Sequence, residues 1–206
     1  MSRKKPVSVW MRRHLNDPYV KQAVKSGYRS RAAYKLQEID QKDRLLRPGA
    51  VVIDLGSTPG GWSQIARERV GATGKVVALD LLPMQPLPGV TFIHGDVLDE
   101  AVIKQLVNLV GEHAVDLVLS DMAPNLTGIA AVDEARSQAL VSIAVAFAQS
   151  MLKPTGSLLV KVFHGSGLDA VIREMKQVFG QVITRKPAAS RSESREVYVL
   201  CRGLSK

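Results

Sequence analysis

The sequence predicts an α/β fold: a single, mostly parallel seven-stranded sheet with helices on both faces. Three observations carry this. Short apolar runs rich in β-branched residues alternate with helical periods after residue 30, the pattern of parallel strands joined by crossover helices. The runs are almost continuously apolar, as strands buried on both faces require. One of them, Val51-Val52-Ile53-Asp54-Leu55, breaks into a loop holding Gly56, Gly60 and Gly61 and then enters a helical segment. Strand, glycine loop and helix in that order bring backbone close to a nucleotide-like ligand in open α/β sheets.

The elements follow in order. Residues 1–29 lack a clear period and read as a basic arm, with a short helix near Asp17 to Lys25. Ser30 to Lys42 reads as a helix with Ser30 as N-cap, and Pro48-Gly49 turns into the first strand, Val51 to Leu55. A helix-compatible segment, Ser63 to Val70, follows the glycine loop. Lys75 to Leu79 and Val90 to His94 are the next strands. Asp99 to Glu112 is helical, with Val102, Ile103, Leu106, Val107 and Val110 on one face,. Val115 to Ser120 is the fourth strand, and Asp133 to Lys153 a long helix stopped by Pro154 and Gly156,. Ser157 to Phe163 is a strand, Leu168 to Phe179 a helix, and Gln181 to Arg185 and Glu196 to Cys201 the last two strands. No repeat is visible, so residues 30–206 form one domain behind the arm of residues 1–29.

Charge separates those two parts. Residues 1–35 hold ten Lys/Arg and one acid, Asp17, and carry the whole net charge of +9; the bases and acids of the remainder cancel. Trp10, Tyr19, Tyr28 and Tyr34 are interleaved with these cations. Clustered cations beside aromatic rings suit a phosphate backbone with bases to stack. A second basic stretch, Arg185 to Arg195, reads as a loop between strands. The longest nearly apolar run, Ala139 to Ala148, is too short to span a bilayer,. No apolar signal region follows the basic start, and the single Cys201 fits a reducing cytoplasm,. No Cys/His cluster suggests a metal.

The glycine loop excludes two common nucleotide sites, since neither G-x-G-x-x-G nor G-x-x-x-x-G-K-[ST] occurs,. Asp54, Asp80, Asp96 and Asp121 finish or follow four successive strands, at the rim where such sheets bind ligands. Asp80 stands where an acid commonly holds a ribose diol. Acids gathered at one rim repel each other, and a cationic sulfonium cofactor with hydrogen-bond donors would offset that. Trp62, at the start of the following helix, either packs in the core or lines the pocket. In Leu158-Leu159-Val160-Lys161-Val162-Phe163 a lysine interrupts a buried strand, which is costly unless Lys161 reaches a polar site.

Four motifs then meet. Lys35 in Ser30-Arg31-Ala32-Ala33-Tyr34-Lys35-Leu36, Asp121 in Asp121-Met122-Ala123-Pro124-Asn125, Lys161 in Val160-Lys161-Val162-Phe163 and Glu196 in Ser194-Arg195-Glu196-Val197-Tyr198 resemble a known set. It is the Lys-Asp-Lys-Glu tetrad of the FtsJ-type ribosomal-RNA 2′-O-methyltransferases. Asp54-Leu55-Gly56-Ser57-Thr58-Pro59-Gly60-Gly61 and Asp80-Leu81-Leu82-Pro83-Met84 are similar to that family's two cofactor motifs. Ser57-Thr58 departs from the two alanines usual in bacterial members and is expected to tune the loop. The resemblance implies a Rossmann-like fold and S-adenosylmethionine held by Asp54, Gly56, Pro59, Gly60, Trp62, Asp80, Leu81, Asp96 and Asp121.

It also implies roles. Lys161 acts as general base, or as a charged group stabilising the developing alkoxide. Lys35 and Glu196 orient the 2′-hydroxyl and Lys161, and Asp121 touches both cofactor and lysine. The implied substrate is a uridine of large-subunit (23S) ribosomal RNA within the assembled 50S subunit, met by a cytoplasmic monomer. The same chemistry on transfer RNA or an RNA cap is the nearest alternative. A non-catalytic RNA-binding scaffold and a dinucleotide oxidoreductase are more distant ones.

Overall fold

The computed structural model describes residues 16–125, 127–165, 167–191 and 193–205. The strands are β1 (Val51–Leu55), β2 (Lys75–Asp80), β3 (Val90–His94), β4 (Val115–Ser120), β5 (Leu152–Phe163), β6 (Phe179–Arg185) and β7 (Glu196–Leu204). They form one sheet in the order β3-β2-β1-β4-β5-β7-β6. Pairings among β3, β2, β1, β4 and β5 are parallel, while β7 runs antiparallel to both of its neighbours. The order reverses between β1 and β4, which opens a crevice at the carboxyl ends of those strands.

The helices are α1 (Pro18–Ser26), α2 (Ala32–Asp43), α3 (Gly61–Val70), α4 (Glu100–Val110), α5 (Ala130–Met151) and α6 (Leu168–Val178). The two-residue period of the strands sorts the core into two layers. Ile53, Val118 and Val160 face Leu106, Phe147 and Met175 of α4, α5 and α6. Val52, Leu117 and Leu159 face Leu36, Trp62 and Ile65 of α2 and α3. Cys201 is fully buried, and burial pushes its thiol up to about 12, so it is an inert core group,.

Three of the element boundaries that differ from the sequence reading bear on the architecture. Helix α2 starts at Ala32 after Arg31, and no side chain caps it. Ser30 instead presses its hydroxyl against Gly61, where any Cβ would collide. Strand β5 begins at Leu152, directly after α5: Leu152 pairs with Val115, and the register resumes with Ser157 beside Leu117. Pro154 and Gly156 therefore lie inside the irregular start of that strand. At the other end of the sheet, β7 extends to Leu204.

Residues 16–29 are folded onto the sheet domain. Asp17 caps α1 by accepting from the backbone of Tyr19 and Val20. Its carboxylate also binds Arg31, and Arg191 of the β6–β7 loop at 3.2 Å. Tyr19 and Tyr28 each pack on Tyr34 with ring centroids 5.6 Å apart, against buried Ala23 and Ala189. Trp10 and the five basic residues before residue 16 lie outside the described residues.

Candidate active site

Strand register assembles the four residues of the tetrad. In the antiparallel β5–β7 pair, Lys161 stands opposite Tyr198 and Phe163 opposite Glu196. Residues two apart on a strand share a face, so Glu196 and Tyr198 project beside Lys161. Ser120 pairs with Val160, which brings Asp121, just past the end of β4, level with Lys161. Helix α2 supplies Lys35 from above that face.

The result is two ion pairs joined by one hydroxyl. Lys35 Nζ lies 2.6 Å from Glu196 Oε1, and Lys161 Nζ lies 3.1 Å from Asp121 Oδ1. Lys161 Nζ also donates to the Asp121 carbonyl at 2.6 Å. The Tyr198 hydroxyl donates to Asp121 Oδ1 at 2.9 Å and accepts from Lys35 Nζ at 3.3 Å. Charges cancel within the set, and each side chain is mostly withdrawn from water, so the pairs hold one another in place. Burial works to raise the Glu196 carboxyl, but the Lys35 charge and hydrogen bond, helped by Lys161, hold it below its usual range. Burial and the neighbouring carboxylates push the Tyr198 hydroxyl well above its ordinary value, so it stays neutral.

The glycine loop forms the adjoining crevice. Gly56 and Gly60 adopt left-handed φ of 71° and 109°. A Cβ on Gly56 would fall 2.7 Å from Met122 Cγ, so the loop and the Asp121 segment are in contact,. The Thr58–Pro59 peptide is cis. Asp80 closes β2 and accepts from the backbone N–H groups of Thr58 and Leu82, both at 2.8 Å. It thus joins the glycine loop to the Leu81-Leu82 turn, whose side chains are exposed. Asp96 is exposed and accepts from Leu98 N at 2.9 Å in the turn after β3.

Two expected contacts sit deeper than the sequence reading placed them. Asp54 does not end its strand: Leu55 does, and the Asp54 side chain is fully buried beneath the loop. Its Oδ2 accepts from Ser63 Oγ at 2.6 Å, while Oδ1 has no partner. Burial pushes this carboxyl up to about 7, against the Ser63 hydrogen bond and with help from Asp121 and Asp80,. The Trp62 ring belongs to the core, 5.5 Å from the Tyr198 ring between centroids, with its indole N–H donating to the Ala32 carbonyl at 2.8 Å. That leaves Trp62 its backbone N–H, at the N-terminus of α3, to offer a ligand.

Two residues gain roles that the sequence reading did not assign. Tyr198 was legible as the position two beyond Glu196 on a strand. Arg29 carried no local signal. Its guanidinium donates to the carbonyls of Pro59 (3.2 Å), Gln85 (2.7 Å) and Pro86 (2.6 Å), stapling the glycine loop to the segment after β2.

This sheet order, with its reversed seventh strand and a ligand crevice beside β1 and β4, is that of the Rossmann-like methyltransferases. Comparison with known proteins narrows the class. The chain belongs to the FtsJ-like methyltransferase family, whose profile matches residues 28–204. It is 56% identical over 200 residues to the ribosomal RNA large subunit methyltransferase E of Azoarcus sp. (strain BH72), covering 97% of this chain and 98% of that protein. It is 53% identical over 203 residues to the protein of the same name from Chromobacterium violaceum, covering 98% and 99%. Among solved structures, one described as a ribosomal RNA methyltransferase from Plasmodium falciparum aligns with a TM-score of 0.77 at 30% identity. That alignment covers 86% of this chain and 98% of the other.

Proposed function

We propose that this protein transfers the methyl group of S-adenosylmethionine to the 2′-hydroxyl of a uridine in large-subunit ribosomal RNA, working as a cytoplasmic monomer on the assembled 50S subunit. The observation that carries the reading is the pair of coupled ion pairs, Lys161–Asp121 and Lys35–Glu196, at the mouth of the crevice. The named relatives of high identity supply the substrate class. No helix among the described residues is long and apolar enough to cross a membrane.

The crevice suits a cationic cofactor. A buried carboxylate oxygen of Asp54 lacks a partner, Gly56 of the loop above it is part-exposed, and Asp80 and Asp121 flank it. Gly56, Pro59, Gly60, the Trp62 backbone, Asp80, Leu81, Asp96 and Asp121 would hold the cofactor, which supplies an electrophilic methyl group when bound. Arg29 keeps both walls of the crevice in register. A lysine ammonium has three N–H groups. Asp121 takes two directions from Lys161, through its carbonyl and Oδ1, and the third is left for the substrate oxygen. The charge at Nζ then lowers the cost of negative charge developing on that oxygen as it takes the methyl group, and the hydroxyl proton passes to solvent water. Glu196 and Lys35 fix the hydroxyl's approach, and Tyr198 keeps the two pairs aligned. Residues 1–29 would grip the RNA backbone through their cations.

The test is transfer of a labelled methyl group from S-adenosylmethionine to three substrates: free ribosomal RNA, isolated large subunits lacking the modification, and transfer RNA. Label on subunits that survives alkali within a 2′-O-methylated dinucleotide, and that vanishes with Lys161→Ala, is the expected result. Label on transfer RNA alone would replace the substrate, and no label on any of the three would refute the reading.

A further inference from the structure

A cavity of about 370 Å³ is lined by Val162 and Phe163, the residues that follow Lys161 on β5, and by no member of the tetrad. The Phe163 ring is shared: it lines this cavity, and its centroid lies 6.0 Å from Lys161 Nζ. The other walls come from the N-terminal turns of α5 and α6, the loop after β5 and the end of the β6–β7 loop. The space exists because Gly165 and Gly167 have no side chains. A Cβ on Gly167 would collide with the Gln138 amide, and one on Gly165 would lie 3.2 Å from Glu134 Oε1.

We infer that this cavity receives the base of the nucleotide whose ribose is methylated. The inference rests on the proposed reaction, since it is the ribose beside Lys161 that positions the base. Four features select a base over other parts of an RNA chain. The lining is mainly apolar, with Val162, Phe163, Leu168 and Val171, as an uncharged heterocycle prefers. Asp133, Glu134 and Glu193 outnumber Arg195 among the fully charged groups, so a phosphate is repelled. Flat surfaces are present for stacking, in the Phe163 ring and in the Arg195 guanidinium, whose Nε donates to the His164 carbonyl at 3.0 Å,. The half-buried Gln138 amide makes no hydrogen bond to the described residues, leaving a donor and an acceptor for the edge of a base. Both Asp133 oxygens and Glu134 Oε1 are taken: Asp133 accepts from Thr127 and Gly128, and Glu134 from Gly167 N at 2.9 Å. A nucleotide drawn out of folded RNA loses its stacking, and a separate pocket for its base offsets that cost.

The experiment compares ribosomal RNA carrying the intact target nucleotide with the same RNA abasic at that position, in subunits reconstituted from each. Three proteins are used: the parent, Gln138→Leu, which keeps size and removes the amide, and Ser137→Leu, which adds bulk at a buried lining residue. The parent should lose about tenfold or more in kcat/KM on abasic RNA. Each variant should lose a similar factor on intact RNA, keep the cofactor KM within about twofold, and match the parent on abasic RNA. Equal losses by a variant on both RNAs, or a parent indifferent to the missing base, would overturn the pocket assignment alone. Absence of any transfer by the parent would overturn the proposed function, and the pocket assignment with it.

Discussion

Tyr198→Phe removes one oxygen from a fully buried side chain. The ring keeps its packing on Trp62. What disappears is the 2.9 Å donation to Asp121 and the 3.3 Å acceptance from Lys35. A hydrogen bond to a charged group contributes about 1.5–3 kcal/mol, and about 1.4 kcal/mol corresponds to tenfold in rate. If the hydroxyl's work is to align the two ion pairs, kcat should fall about tenfold to a hundredfold. The cofactor KM should stay within about twofold, because the hydroxyl's hydrogen bonds among the described residues go to Asp121 and Lys35, not to the glycine loop. Folding stability should drop by about 1.5–3 kcal/mol or somewhat more. Steady-state methyl transfer and urea denaturation would be measured together, with Tyr198→Leu as the contrast. The leucine variant forfeits ring packing as well, and should be much less stable without being much slower than the phenylalanine variant. A phenylalanine variant with unchanged kcat, or one whose rate falls only in proportion to its stability across both substitutions, would refute the reasoning.

Asp80→Ala should raise the cofactor KM about tenfold or more while leaving kcat within a few-fold, as steady-state kinetics at varied S-adenosylmethionine would show; a loss confined to kcat would contradict a binding role. Asp54 gives a pH dependence of known sign. Its folded pKa of about 7 lies above the unfolded value, so the folded state binds the extra proton, and stability declines as pH rises from about 4 to about 7, then levels off. The contribution is up to roughly 4 kcal/mol, and Asp54→Asn should flatten that part of the urea-midpoint profile, an unchanged profile counting against it. Deleting residues 1–15 removes five basic residues and should weaken RNA binding. The slope of log affinity against log salt should fall by about 0.9 for each phosphate those residues neutralise, if the bound RNA is duplex, whereas an unaltered slope would separate them from the RNA.

The chemistry of this protein was more legible in its sequence than its geometry. Seven strands and the glycine loop announce themselves through local periodicity and composition, and Lys161 stands out because a cation interrupts an apolar strand. Other features depend on contacts between distant segments. Leu152 joins β5 because Val115 is there to pair with it, although the nearby proline and glycine read as a helix stop. Asp54 is buried because Ser63 and the loop close over it, and a strand-end acid looks the same in sequence whether open or covered. Arg29 resembles any other cation of a basic segment until the two loops it staples are folded beside it. The Phe163 cavity arises where helix termini and loops converge, and no run of residues records such a meeting.

The position of β7 bears on when a growing chain becomes competent. It is the last strand in sequence, yet it is inserted between β5 and β6. During synthesis, everything before Glu196 emerges from the ribosome with those two strands unable to pair through their eventual neighbour, both edges open. Glu196, the last member of the tetrad, and Tyr198, which links its two ion pairs, arrive on the strand that closes this gap. On the proposed mechanism, closure of the sheet and acquisition of activity are therefore one event, and an incompletely synthesised chain would be withheld from that chemistry until β7 is in place.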